Sequence, residues 1–162
     1  AWNPRWDCCA TSRWPAVVGG RPAPARPPAP RSAVADARAA GQNPRAVVVT
    51  VPDNPTGAVA SAATVRRLAE AARELDLVIV SDEIYCDLVY DTSEPAVSPA
   101  LQAPELTVVT TGLTKNLALG GWRTGAARLP DSEPGRALHT RLVAVASQIW
   151  SSPPAPVQTA AA

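Results

Sequence analysis

One lysine, Lys115, stands among 162 residues, and the other fourteen basic side chains are arginines. A lysine amine can give up its proton and form a Schiff base with an aldehyde, whereas a guanidinium stays charged and is a poor nucleophile. Lys115 lies in the stretch T-T-G-L-T-K-N-L-A-L-G-G-W-R-T-G, residues 110–125. Beyond it, after Gly120, Gly121 and Trp122, comes Arg123. Glycines there let backbone approach a ligand closely, and an arginine fork suits a phosphate. An amine nucleophile beside a phosphate clamp points to a cofactor with one aldehyde and one phosphate, pyridoxal 5′-phosphate. The plain alternative is a solvated lysine and a surface arginine.

Such a cofactor makes further demands. Its ring nitrogen needs a carboxylate to stay protonated, and Asp82 directly follows an apolar run, where an unpaired carboxylate is costly. Its phenolic oxygen takes hydrogen-bond donors, which Tyr85 and Asn54 supply as a hydroxyl and an amide. Its ring face takes an aromatic partner, for which Trp6 is a candidate. Its phosphate takes Arg123 with hydroxyls such as that of Thr114. Taken singly, each residue has a structural reading: a cap or metal ligand for the Asp-Glu pair, a core position for Tyr85, a simple turn for Asn54.

These residues need elements to bring them together. The run A-V-V-V-T-V (46–51) is β-branched and continuous, as in a strand buried on both faces of a parallel sheet. Turn formers P-D-N-P-T-G (52–57) follow. Ser61 then caps a helix reaching Leu75, with Val65, Leu68, Ala69, Ala72 and Leu75 on one stripe and charged residues mostly off it. L-V-I-V (77–80) and L-T-V-V-T-T (106–111) are the next strands, and R-T-G-A-A-R-L (123–129) supplies a fourth. Pro134 opens a second long helix to Trp150, with Leu138, Leu142, Val145 and Ile149 facing inward; His139 beside that stripe is a partly exposed helix residue. A short helix over 32–40 is capped by Ser32 and stopped by Gly41. Upstream, R-P-A-P-A-R-P-P-A-P-R (21–31) is extended loop. Strands alternating with helices give an α/β fold with a mostly parallel sheet and flanking helices. Ligands of such sheets sit at the carboxyl ends of the strands, where Asn54, Asp82, Tyr85 and Lys115 all fall.

Composition narrows the rest. An apolar content of 46% and a net charge of +1 describe a globular chain, without the basic runs of a nucleic-acid or membrane-surface binder. No apolar stretch has spanning length and no signal-peptide pattern occurs, so the expected compartment is the cytoplasm. Cys8, Cys9 and Cys86 have neither disulfide-framework nor metal-ligand spacing and are read as free thiols. Methionine is absent and the chain stops in an alanine run, which suggests a piece of something larger.

N-P-T-G at 54–57, D-E-I-Y at 82–85 and T-K-N-L-A-L-G-G-W-R-T-G at 114–125 resemble the three signatures of class I/II aminotransferases of fold type I. The resemblance is nearly continuous from about Ala33 onward and shorter before it, where P-R-W at 4–6 is similar to the family's proline-x-aromatic segment. It implies that Lys115 carries pyridoxal phosphate and that Asp82 pairs with the ring nitrogen. It further implies Tyr85 and Asn54 at the phenolic oxygen, Arg123 at the phosphate and Trp6 against the ring. The implied activity moves an amino group between an amino acid and a 2-oxo acid, in a homodimer. The same scaffold also serves lyases, decarboxylases and the cofactor-sensing domains of transcription regulators. Two positions depart from the pattern: Gly112 stands where the family usually has a phosphate-binding serine, and Cys9 where it often has an aromatic. Family members run to more than twice this length, so the residues correspond to a part of the cofactor-binding large domain, without the N-terminal segment and the C-terminal small domain.

Overall fold

A computed structural model describes residues 30–90 and 95–161. Trp6, Cys8 and Cys9 lie outside them. Helix α1 spans Pro30–Ala39. The extended reading of 21–31 therefore ends too late, because Pro30 and Arg31 already belong to the helix; proline suits a first helical position, where its missing N–H would have no partner. Ser32 consequently lies inside the first turn and is not the cap. Gly41 ends the helix as expected, in the left-handed region at φ 77°, with its amide and that of Gln42 donating back to the carbonyls of Arg38 and Ala37.

Strand β1 (Ala46–Thr50) leads through a turn to α2 (Ala62–Leu75), then to β2 (Val78–Asp82), β3 (Thr107–Gly112) and β4 (Gly125–Arg128). The sheet order is β1-β2-β3-β4, with β1, β2 and β3 parallel and β4 antiparallel to β3. Helix α2 starts where Ser61 Oγ accepts the Thr64 amide, and it stops at Asp76, a left-handed residue at φ 55°. Its predicted stripe packs inward: Val65, Ala69 and Ala72 are buried, and Leu68 and Leu75 lie against the core. Alanines at this contact let α2 approach the sheet closely. Val34 of α1, Val47, Leu77, Ile79 and Ala103 complete that core. Arg31 forks onto both carboxylate oxygens of Glu74 at 2.8 Å, tying α1 to α2. Arg73 reaches Glu105 at 2.7 Å and the Gln102 carbonyl, tying α2 to the approach to β3.

Two expectations fail in informative ways. β1 and β2 are fully buried on one face only, whereas β3 begins with Thr107 and Val108 enclosed on opposite faces. Val47, Ile79 and Ser81 are enclosed, whereas Val48, Val78 and Val80 are half-buried. Helix α3 (Glu133–Ile149) forms as predicted, capped by Ser132. Its apolar stripe does not face inward, however: Leu142, Val145 and Ile149 are 44%, 51% and 68% exposed, and Leu138 is half-buried. Periodicity shows that a helix has an apolar side but not what covers it. Among the described residues no other element packs on α3 beyond slight contact. His139 is exposed on this helix. A short helix α4 (Ala155–Ala161) follows, which the sequence reading did not separate from the tail.

Candidate active site

Parallel β1, β2 and β3 end on the same side of the sheet, so whatever follows each strand is delivered to one rim. β4 runs the other way, and its first residue Gly125 pairs with Gly112, the last of β3. Arg123, two residues before β4, is thereby returned to the rim that Lys115 has just left. The antiparallel fourth strand thus explains how one short stretch contributes both an amine and a guanidinium.

After β1 the backbone turns through cis Val51–Pro52 and Asn54–Pro55 bonds. Asp53 organises this turn. It is only 8% exposed, and its carboxylate accepts hydrogen bonds from the hydroxyls of Thr50, at 3.0 Å, and Thr56. Thr50 Oγ1 in turn accepts the Asn54 amide at 3.2 Å. Asn54 is left exposed at the rim. The sequence reading passed over Asp53; threonines three residues to either side of an aspartate in a turn are the signal that could have marked it.

Asp82 closes β2 and is half-buried rather than enclosed; its Oδ1 accepts the Ile84 amide at 3.3 Å. The next residue, Glu83, points a different way. Its Oε1 accepts from Ser81 at 2.9 Å and Ser98 at 2.6 Å, fastening the end of β2 to the segment that leads back to β3. Tyr85 then sits half-buried in a turn closed by the Leu88 amide donating to the Tyr85 carbonyl. Burial, aided by the neighbouring Asp87 carboxylate, pushes the Cys86 thiol up from its ordinary value, so Cys86 is a protonated free thiol.

Lys115 is exposed, and its Nζ lies 5.8 Å from the centroid of the Tyr85 ring, within cation–π range. The structure therefore joins the ends of β2 and β3 at these two side chains. Arg123 adopts φ 51°, a left-handed conformation that costs a non-glycine residue about 1–3 kcal/mol. Its Nη1 donates to the Gly120 carbonyl at 3.2 Å, which leaves most of the fork free for a ligand.

Two clefts flank the pair Ile84–Tyr85. One, of about 460 Å³, is lined by Asn54, Tyr85, Pro52, Val59 and Leu88 among others. The second, of about 290 Å³, is lined by Thr111, Gly112, Thr114, Arg123, Thr124 and Gly125 with Ile84. The second has the donor set of an anion site, three hydroxyls and a guanidinium, beside two glycines where a side chain would meet the backbone of the neighbouring strand. Asn54 and Tyr85 thus share one cleft, Thr114 and Arg123 the other, with Lys115 beside Tyr85. Asp82 lines neither cleft, and Trp6 lies outside the described residues. Among the described residues no three His, Cys, Asp or Glu side chains gather to hold a metal ion.

The sequence pattern of the family "Aminotransferase class I and II" matches residues 29–162. The chain belongs to the class I and II aminotransferases. It is 40% identical over 116 residues to a probable aspartate/prephenate aminotransferase of Thermus aquaticus, covering 72% of this chain and 28% of that protein. It is 38% identical over 81 residues to the glutamate-pyruvate aminotransferase of Escherichia coli K12, covering 50% of this chain and 20% of that one. The solved structure of the Thermus thermophilus aspartate aminotransferase with maleate superposes at a TM-score of 0.65 and 38% identity, over 72% of this chain and 29% of that chain. The chain thus spans less than a third of the length of these aminotransferases, and its mostly parallel sheet with flanking helices is part of the fold type I architecture.

Proposed function

We propose that this chain is the central part of the cofactor-binding domain of a pyridoxal-phosphate-dependent aminotransferase, acting on an amino acid and a 2-oxo acid. The observation that carries the reading is the Lys115 amine over the Tyr85 ring, on a loop whose preceding residue, Thr114, lines a cleft with Arg123 and two further threonines; Lys115 itself lines neither cleft. That donor set fits the cofactor: a primary amine for its aldehyde, a guanidinium with threonine hydroxyls for its phosphate. When bound, pyridoxal phosphate supplies an aldehyde and an electron-withdrawing ring.

The chain's own groups then have distinct roles. Lys115 Nζ would hold the cofactor by its aldehyde, and as a free amine it would be the base that carries a proton to and from the substrate carbon. Asp82, at the carboxyl end of β2, holds a proton on the ring nitrogen. Asn54 and Tyr85, in one cleft, orient the ring through its phenolic oxygen. Arg123 and Thr114 hold the phosphate, with Thr111 and Thr124 as neighbours in the same cleft; with Gly112 in place of serine, these hydroxyls carry more of the polar contact. Trp6 would be the aromatic partner of the ring. The whole protein works as a cytoplasmic homodimer. The relatives named above are aminotransferases, which favours amino-group transfer over the lyase, decarboxylase and sensor readings.

The test is borohydride treatment of the full-length protein with pyridoxal phosphate, followed by peptide mapping. The expected result is one phosphopyridoxyl adduct, on the peptide carrying Lys115, absent in Lys115→Ala, which also loses amino-group transfer. An adduct elsewhere, or undiminished transfer by the variant, overturns the assignment.

A further inference from the structure

Two residues outside the proposed machinery stand in a specific contact next to it. Asn116 follows Lys115, and its Nδ2 donates to Asp87 Oδ2 at 2.7 Å across a sequence separation of 29 residues. The other end of the same amide is also used: Oδ1 accepts the Leu117 backbone amide at 3.0 Å. The amide orientation is thereby set, with its oxygen on an N–H and its nitrogen on a carboxylate. Asp87 lies two residues after Tyr85, on the turn closed by the Cys86 and Leu88 amides donating to the Glu83 and Tyr85 carbonyls. One side-chain contact therefore joins the loop that carries Lys115 to the turn that carries Tyr85.

The lysine loop needs such a tie. Between Leu113 and Leu119 its backbone hydrogen bonds are sparse: Leu119 donates to Leu113 at 3.2 Å and Ala118 to Lys115 at 3.4 Å. Ala118 is held at φ 55°, unfavourable for a residue with a Cβ, so the loop has a strained point that its surroundings must hold in place. Lys115 itself is exposed, with four rotatable side-chain bonds. A long-range charged hydrogen bond at the next residue is the strongest restraint available to it, because hydrogen bonds to ionised groups are roughly twice as strong as neutral ones.

We infer that Asp87 and Asn116 form a clasp that positions Lys115 over Tyr85, making both of them positioning residues for attachment of the cofactor. The inference rests on the proposed role of Lys115. A clasp raises the effective concentration of the amine at the aldehyde without touching either. It acts as one unit, so losing either partner has the effect of losing both. An amide on residue 87 keeps an acceptor but loses the charge, so it preserves the hydrogen bond at about half its strength.

The experiment is a double-mutant cycle in the full-length protein, read as the rate of borohydride-trappable attachment of pyridoxal phosphate to Lys115. Asn116→Ala and Asp87→Ala are each expected to slow attachment about five- to tenfold, the factor that one hydrogen bond of this kind controls, and the double variant is expected to be no slower than either. Asp87→Asn, which keeps a neutral acceptor, is expected to slow attachment only about two- to threefold. Hydrogen exchange at residues 115–119 provides a second readout: exchange there accelerates in both alanine variants while β3 stays protected. Additive effects of the two substitutions, unaltered rates, or an Asp87→Asn variant as slow as Asp87→Ala each overturn the clasp. If the unaltered protein attaches no cofactor at Lys115, the functional reading falls. The clasp is then judged by exchange alone, and unchanged exchange in the alanine variants overturns it.

Discussion

Gly112→Ser sets two effects against each other at the edge of the anion cleft. Serine is the residue the family's pattern usually carries there, so the substitution adds back a hydroxyl beside Thr114 and Arg123. Space is the opposing term. A Cβ on Gly112 would lie 3.0 Å from the Thr124 carbonyl oxygen, 3.2 Å from Ile84 Cδ1 and 3.4 Å from Gly125 Cα. The Ile84 methyl ends a flexible side chain and can turn away. The Thr124 carbonyl belongs to the backbone entering β4, and moving it disturbs the Gly112–Gly125 pairing. Overpacking of this kind costs about 1–3 kcal/mol, and replacing a strand glycine returns about 0.5–1 kcal/mol through the unfolded chain, leaving a net loss of about 1 kcal/mol at the middle of these ranges. Gly112 has no positive φ, so backbone conformation adds nothing. Gly121→Ser is the control, since a Cβ there meets nothing within 4 Å, and its change should stay within about 0.5 kcal/mol. The assay is urea unfolding of the full-length protein without cofactor, comparing midpoints at equal slope. A Gly112→Ser variant as stable as Gly121→Ser, or more stable, would refute the claim that β3 and β4 meet too closely here for a side chain.

The Arg73 guanidinium holds the Glu105 carboxyl below the usual glutamate range. A depressed folded value means stability that is present above the unfolded value and lost as pH falls through the folded one. Unfolding of the protein and of Arg73→Leu should therefore differ by up to about 1 kcal/mol at pH 6, as for other exposed pairs, with the ionic share of that difference shrinking as pH falls below the ordinary glutamate range; a pH-independent gap would assign it all to the Gln102 carbonyl contact. On α3, Leu142, Val145 and Ile149 expose a continuous apolar face. The 162-residue chain expressed alone should self-associate, and Leu142→Glu with Ile149→Glu should reduce this in sedimentation; equal association of both chains would place the sticky surface elsewhere.

Local signals in the sequence were enough for most of the elements and for naming the candidate groups. The β-branched runs, the Ser61 cap and the stripe from Val65 to Leu75 predicted β1, β2, β3 and α2 within a residue or two, because hydrogen-bonded periodicity and capping act over a few positions. The amine at Lys115, the carboxylate at Asp82 and the guanidinium at Arg123 were legible because their residue types limit their chemistry. Tertiary structure decided what depends on distant neighbours. It placed β4 antiparallel, which returns Arg123 to the rim, and it separated Asn54 and Tyr85 from Thr114 and Arg123 by the Ile84–Tyr85 turn. It placed Pro30 and Arg31 within the first described helix, with Ser32 inside it, where Arg31 meets Glu74 across 43 residues. It left the α3 stripe exposed, since amphipathic spacing specifies a face and not its partner. The roles of Asp53, Glu83 and Asp87 were likewise hidden: a carboxylate's function is set by which hydroxyl or amide folding brings to it, and Asn116 reaches Asp87 only after two strands have been laid side by side.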